Sequence, residues 1–157
     1  LDEDEVANVR HAAELHDVGK VAVPDDILSK PGPLDDEEFA FIRRHTLIGE
    51  RIISAAPALS EVARLVRSSH ERWDGTGYPD GLAGEEIPLA SRIVFAADAF
   101  DAMTSTRPYN TPRSADEAIR ELRACAGTQF DPVVVEAFRA AWDEAQATSR
   151  SLPVSTS

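Results

Sequence analysis

A chain of 157 residues is long enough for one domain with one sizeable core, and no second domain is needed. Its formal net charge of -12 excludes a basic stripe that tracks a nucleic-acid polymer, while a small anionic substrate stays open where metals and a few arginines turn the local field positive. A single cysteine, Cys125, rules out a disulfide framework and fits a reducing cytoplasm, and no apolar run approaches the ~20 residues that span a bilayer.

The chain begins at Leu1 on an acidic helix start, and a fragment of something longer is expected. The first helix is read over Asp4 to Val18, with Val9, Ala12, Ala13 and His16 as its buried stripe and Gly19 as its C-terminal cap. Three prolines make Val21 to Pro33 an ordered connection rather than a helix. The second helix opens on an Asp35 and Glu38 capping box with Leu34 placed to staple against Phe39, and runs on through Phe41, Ile42, His45, Ile48 and Ile53. A third, Ser60 to Glu71, buries Val62, Leu65, Val66, Ser69 and His70. Four glycines and two prolines make Trp73 to Pro88 a functional or mobile loop. An alanine-rich helix follows from Pro88 through Met103. Another is capped by Ser114 and Glu117 and ends near Gly127, and the last starts at Asp131-Pro132. Cys125 lies one turn from Leu122 and reads as a packing thiol. The expected class is all-α, with a domain over residues 1–146 and a disordered polar tail over 147–157.

Each of three helices carries an inward histidine: His16, His45 and His70. Asp98 sits inside Val94-Phe95-Ala96-Ala97-Asp98-Ala99-Phe100, where an unpaired carboxylate is costly and something positive must meet it. With Asp17 beside His16, these residues suit an N/O metal cage, as in a metal-dependent hydrolase; unrelated buried hydrogen bonds and ion pairs are the alternative. His11, about 140° around the helix from His16 at ~3.6 residues per turn, belongs to the surface. Lys20 can hold a phosphate oxygen or compensate a helix dipole. Arg107, in Arg107-Pro108-Tyr109, can fork onto phosphate or pair with Asp101.

Assembled in order, the motifs resemble the HD-GYP family of metal-dependent cyclic di-GMP phosphodiesterases over about Asp4 to Phe138. The resemblance rests on His16-Asp17-Val18-Gly19-Lys20, Pro24, Ile27-Leu28, Lys30-Pro31-Gly32, Leu34, His45 with Gly49, the run His70 to Pro79, Ile87-Pro88-Leu89, Asp98 and Arg107-Pro108-Tyr109. It implies an HD-domain helical bundle with an HD-GYP extension and two or three divalent metal ions, iron or manganese. His16, Asp17, His45, His70 and Asp98 are then ligands, Asp17 bridging two metals, with Lys20, Tyr78 and Arg107 near the substrate. It also implies hydrolysis of cyclic di-GMP to linear pGpG or GMP in bacterial signalling. The Gly77-Tyr78-Pro79 loop is a surface for a signalling partner, and a homodimer is one expected assembly.

Three departures qualify the expectation. Ser69 replaces the first of two consecutive histidines, a poor substitute for imidazole, and Asn110 stands where a basic residue often follows Arg-Pro-Tyr. An upstream ligand-bearing helix is expected to be missing. Two other readings are a degenerate module that binds nucleotide or a partner without turnover, and a phosphohydrolase acting on another cyclic dinucleotide or nucleotide.

Overall fold

In the computed structural model, which describes residues 1–106 and 111–151, helix α1 (Glu3–Leu15) starts on a box in which Asp2 and Glu5 each accept the other's backbone N–H at 2.8 Å. Glu3, Asp4 and Glu5 then fill the first turn, where the helix dipole favours negative charge. The helix stops at Leu15, three residues short of the expected end, and His16 and Asp17 lead into a 3-10 turn over Val18–Ala22. Gly19 sits within that turn instead of capping α1. A Cβ there would lie 1.9 Å from the His45 carbonyl oxygen and 2.6 Å from the Gly49 amide nitrogen. The missing side chain is what lets the turn lie directly against the following helix pair.

A single turn, α2 (Asp25–Leu28), breaks the stretch expected to be non-helical, starting just after Pro24. The expected second helix is in fact two, α3 (Asp36–Arg43) and α4 (His45–Ile53). The cause is local. The His45 ring Nδ1 donates to the Ile42 carbonyl and the Thr46 hydroxyl to that of Arg43, carbonyls that a continuous helix uses for backbone N–H groups four residues on. Helix α5 (Ser60–Arg67) likewise ends early, because Ser69 Oγ donates back to the Val66 carbonyl at 2.8 Å. His70 therefore leaves the helix and pairs antiparallel with Tyr78, whose N–H donates to the His70 carbonyl at 3.2 Å.

The segment from Trp73 to Pro88 is irregular, as expected, but tied down. Glu71, 2% exposed, accepts from the N–H groups of Asp80, Gly81 and Leu82 at 2.7, 3.1 and 3.1 Å. Arg67 grips Asp80 with two bonds of 2.7 Å and Glu50 of α4 with one of 2.6 Å. Trp73 and Asp74 donate backbone bonds to Gln129 and Thr128. The mobility expected of so glycine-rich a stretch is countered by these bonds.

Helix α6 (Leu89–Thr104) carries both hydrophobic clusters. One joins Ala12, Ile53, Val62, Ala63, Leu65, Val66 and Val94, and binds α6 to α1, α4 and α5. The other joins Ala96, Leu122, Phe130, Val134 and Val135, and binds it to α7 (Ala115–Ala124) and α8 (Pro132–Ser151). Cys125 packs against the second cluster, part exposed. Helix α8 continues to Ser151, beyond the expected domain end at 146, since Glu144-Ala145-Gln146-Ala147 are good helix formers; residues 152–157 of the expected tail lie outside the described residues. The class is all-α, with only two isolated bridges among the described residues. No helix among them is long and apolar enough to cross a membrane.

Candidate metal centre

Helix ends, not helix middles, present most of the candidate ligands. His16 caps α1, Asp17 follows it, His45 opens α4, His70 follows α5, and of these candidates Asp98 alone lies in the middle of a helix, α6. Asp17, His45 and His70 each offer a donor atom within 4.8 Å of the others. Asp17 Oδ1 is 3.6 Å from both His16 Nε2 and His45 Nε2, and Asp98 Oδ1 is 3.7 Å from His16 Nε2.

These gaps are too long for hydrogen bonds, and among the described residues His16 Nε2, Asp17 Oδ1, His45 Nε2 and His70 Nε2 stand buried without a hydrogen-bond partner. The tautomers explain why. A carbonyl oxygen only accepts, so His16 Nδ1 must donate to Ala13 O, at 2.8 Å, and His45 Nδ1 to Ile42 O. In each neutral ring the lone pair is then on Nε2, facing the cluster, as backbone carbonyls commonly arrange for metal-binding imidazoles. Two donors each ~2.1 Å from one cation stand roughly 3–3.5 Å apart, close to the observed spacings. The donor set fits a divalent metal and is expensive without one.

Electrostatics divides the site. Burial, and after it the His45 imidazole close by, pushes His70 down to about 4, and burial also lowers His45. Both rings are neutral near pH 7 and ready to ligate. His16 is raised, chiefly by the Asp98 carboxylate beside it, and that same imidazole lowers Asp98. The imidazole and the carboxylate thus each favour the charged form of the other, and His16 is the neighbour that meets Asp98 in its apolar setting.

Lys20 Nζ donates to Asp17 Oδ2 at 2.6 Å, leaving Oδ1 turned between the two histidines. Tyr78 stacks on His70 with centroids 5.2 Å apart and planes at 11°, and burial raises its hydroxyl to about 12. Gly77 makes this approach possible, since a Cβ there would lie 2.3 Å from the Arg72 amide nitrogen. Ser69 is buried beside His70, its hydroxyl donating to its own helix. His11 is exposed, as its angular position predicts. Arg107 and Asn110 lie outside the described residues, while Asp101, the expected ion-pair partner of Arg107, accepts from Ser105 Oγ at 2.9 Å.

Two features escaped the sequence reading. Glu71 looked like one more member of a motif, though a glutamate directly before a turn full of free N–H groups is a recognisable anchor. Phe39 and Arg43 meet Tyr78 from α3: the Phe39 ring lies edge-on at 6.2 Å, and the Arg43 guanidinium lies 4.7 Å from the Phe39 centroid and 5.7 Å from that of Tyr78. Their spacing of four residues on one helix face is the signal that was available. Beyond Asp98, a cavity of about 390 Å³ runs toward α7, past Phe95, Met103, Arg113 and Gln129.

The profile of the HD domain family matches residues 1–134. Over 135 residues, 85% of this chain, it is 50% identical to a cyclic di-GMP phosphodiesterase of Thermotoga maritima, covering 37% of that protein. It is 43% identical over 98% of its length to a 3'3'-cGAMP-specific phosphodiesterase of Vibrio cholerae, and covers 30% of it. It is 47% identical over 87% of its length to a cyclic di-GMP phosphodiesterase response regulator of Xanthomonas campestris, again covering 37%. The chain thus spans about a third of the length of these relatives. A solved structure of a Vibrio cholerae cyclic GMP-AMP specific phosphodiesterase shares the fold, with TM-score 0.74 and 23% identity over 95% of this chain and 41% of the other.

Proposed function

We propose, from the premise that this chain belongs to the HD domain family and carries the motif series of its HD-GYP branch, that residues 1–146 form a phosphodiesterase domain hydrolysing a cyclic dinucleotide, foremost cyclic di-GMP, to pGpG or GMP. The observation that carries the reading is the convergence of Asp17, His45 and His70, with His16 beside Asp17, each presenting a buried atom that has no hydrogen-bond partner among the described residues. We assign these residues and Asp98 as the ligands that would hold the metal, with Asp17 shared between ions. Two or three divalent ions bound there, iron or manganese, would supply Lewis-acid activation of water and would neutralise phosphate oxygens.

The chain's own residues then position the substrate. Lys20 holds Asp17 in orientation and presents a cation to a phosphate oxygen. Tyr78, its hydroxyl held protonated, donates a hydrogen bond and offers a ring edge beside His70. Arg107 is assigned to the phosphate from its motif alone. No side-chain nucleophile is needed, so catalysis is positioning and electrostatic stabilisation. The setting we infer is the cytoplasm. The loop around Gly77-Tyr78-Pro79 is the surface offered to a signalling partner, and a homodimer is the assembly expected.

To test the reading, the manganese-loaded chain is incubated with cyclic di-GMP, 3'3'-cGAMP and a linear dinucleotide, and the products are separated by chromatography. A linear product from a cyclic substrate is expected; metal bound with every substrate intact refutes it. The cGAMP-specific relative makes that nucleotide the next substrate to compare. One observation favours a binding module instead: the Ser69 hydroxyl is spent on Val66 and adds no ligand. Stoichiometric nucleotide binding without product would identify that case.

A further inference from the structure

Among the described residues many arginines of this acidic chain are tied to carboxylates, such as Arg64 to Glu61, Arg67 to Glu50 and Asp80, Arg72 to Asp74 and Arg92 to Asp131, while Arg10, Arg44, Arg51 and Arg120 show no ion pair. Arg43 is set apart by what it touches. Among the described residues it makes no ion pair, and its contacts are aromatic faces, Phe39 and Tyr78. Tyr78 in turn stacks on His70, so the guanidinium stands one ring away from the candidate ligands. Stacking fixes the plane of an arginine while leaving its N–H donors unspent, which prepares the fork for a phosphate.

We propose that Arg43 is a substrate-positioning residue that binds the second phosphate of the cyclic dinucleotide, the one not being cut. This rests on the phosphodiesterase reading of the metal centre. The ligand cluster, Lys20 and Arg107 are assigned to the phosphate being cut; a cyclic dinucleotide carries two, and a cation outside that group is available to meet the second. Arg43 has the charge, the open donors and the place. Neighbouring Arg44 does not share it, since its guanidinium lies over Phe41, 5.4 Å from that centroid, and makes no ring contact with Tyr78.

The test compares Arg43→Ala, Arg43→Lys and Arg44→Ala on two substrates: cyclic di-GMP, and bis(p-nitrophenyl) phosphate, which has a single phosphodiester. Loss of a charge-assisted bidentate contact predicts that Arg43→Ala raises KM for cyclic di-GMP roughly 10- to 100-fold, with kcat changed by less than about threefold. Arg43→Lys falls between, and Arg44→Ala matches the wild type. Hydrolysis of bis(p-nitrophenyl) phosphate should stay within about twofold. An equal loss on both substrates, or an unchanged KM for cyclic di-GMP, overturns the proposal. If the wild type gives no linear product, the phosphodiesterase reading fails by itself. Arg43 is then judged by calorimetric titration with cyclic di-GMP: binding at least about tenfold weaker in Arg43→Ala upholds it, and equal binding, or none by the wild type, overturns it.

Discussion

Replacing Gly19 with alanine sets backbone against backbone. The new Cβ would stand 1.9 Å from the His45 carbonyl oxygen, where contacts below 3.0 Å essentially never occur, so the Val18–Ala22 turn and α4 must part by at least 1.1 Å. No rotamer relieves this, because neither the obstructing oxygen nor the Gly49 nitrogen belongs to a side chain. Overpacking of this kind costs about 3 kcal/mol, at the upper end of the usual range, and in a chain of this size lowers Tm by roughly 6–12 °C. The same displacement carries Asp17, two residues upstream, away from His45, so manganese affinity should fall about 10- to 100-fold. Thermal melts by circular dichroism in chelator report the packing cost, and calorimetric manganese titration reports the site. Gly49→Ala, whose nearest contact is a movable Val66 methyl at 3.1 Å, is the milder comparison. If Gly19→Ala melts within about 2 °C of wild type and binds manganese equally well, the close crossing is not what places Asp17.

Asp17→Asn should cut manganese affinity at least about tenfold while the far-ultraviolet spectrum stays helical, and unchanged metal content by atomic emission would refute the shared-ligand role. In the metal-free chain, His70 is depressed to about 4 from 6.5, so the unfolded state binds the extra proton and stability declines as pH falls from 6.5 toward 4. The effect is about 3 kcal/mol at most, and is partly offset because raised His16 contributes most below 6.5 and loses that contribution as pH climbs through its folded value. Urea unfolding in chelator across that range should show a slope that His70→Asn flattens; an equal slope in the variant would sink the assignment. Glu71→Ala strands three N–H groups and should cost about 2–4 kcal/mol in urea unfolding. A loss below about 0.5 kcal/mol would mean that water replaces the carboxylate there.

Much of the architecture could be read from residue order because its signals are local. The capping boxes at Asp35 with Glu38 and at Ser114 with Glu117 formed as expected. So did the all-α class and the gathering of His16, His45, His70 and Asp98 with Asp17. The reasoning that led there was partly mistaken, since His70 was placed on a helical face and lies beyond the end of α5. The apolar stripe pointed to the right region, but a serine hydroxyl ended the helix first. The division of α3 from α4 was invisible for a related cause: side-chain bonds from His45 and Thr46 compete with the ladder, and helical periodicity carries no trace of them. Gly19 read as a cap because a local rule was available, whereas its true constraint is a contact with a segment some thirty positions away.

The bonds that hold Trp73 to Pro88 also bear on how quickly a ligand can be accepted. Fixing a backbone residue costs about 1–2 kcal/mol in entropy, and here that cost falls on folding, through Glu71, Arg67 and the backbone bonds to Thr128 and Gln129. A molecule arriving beside Tyr78 meets a wall already in shape. Association should therefore proceed as docking onto a rigid face, with a rate set by encounter and charge rather than by a slow closing step.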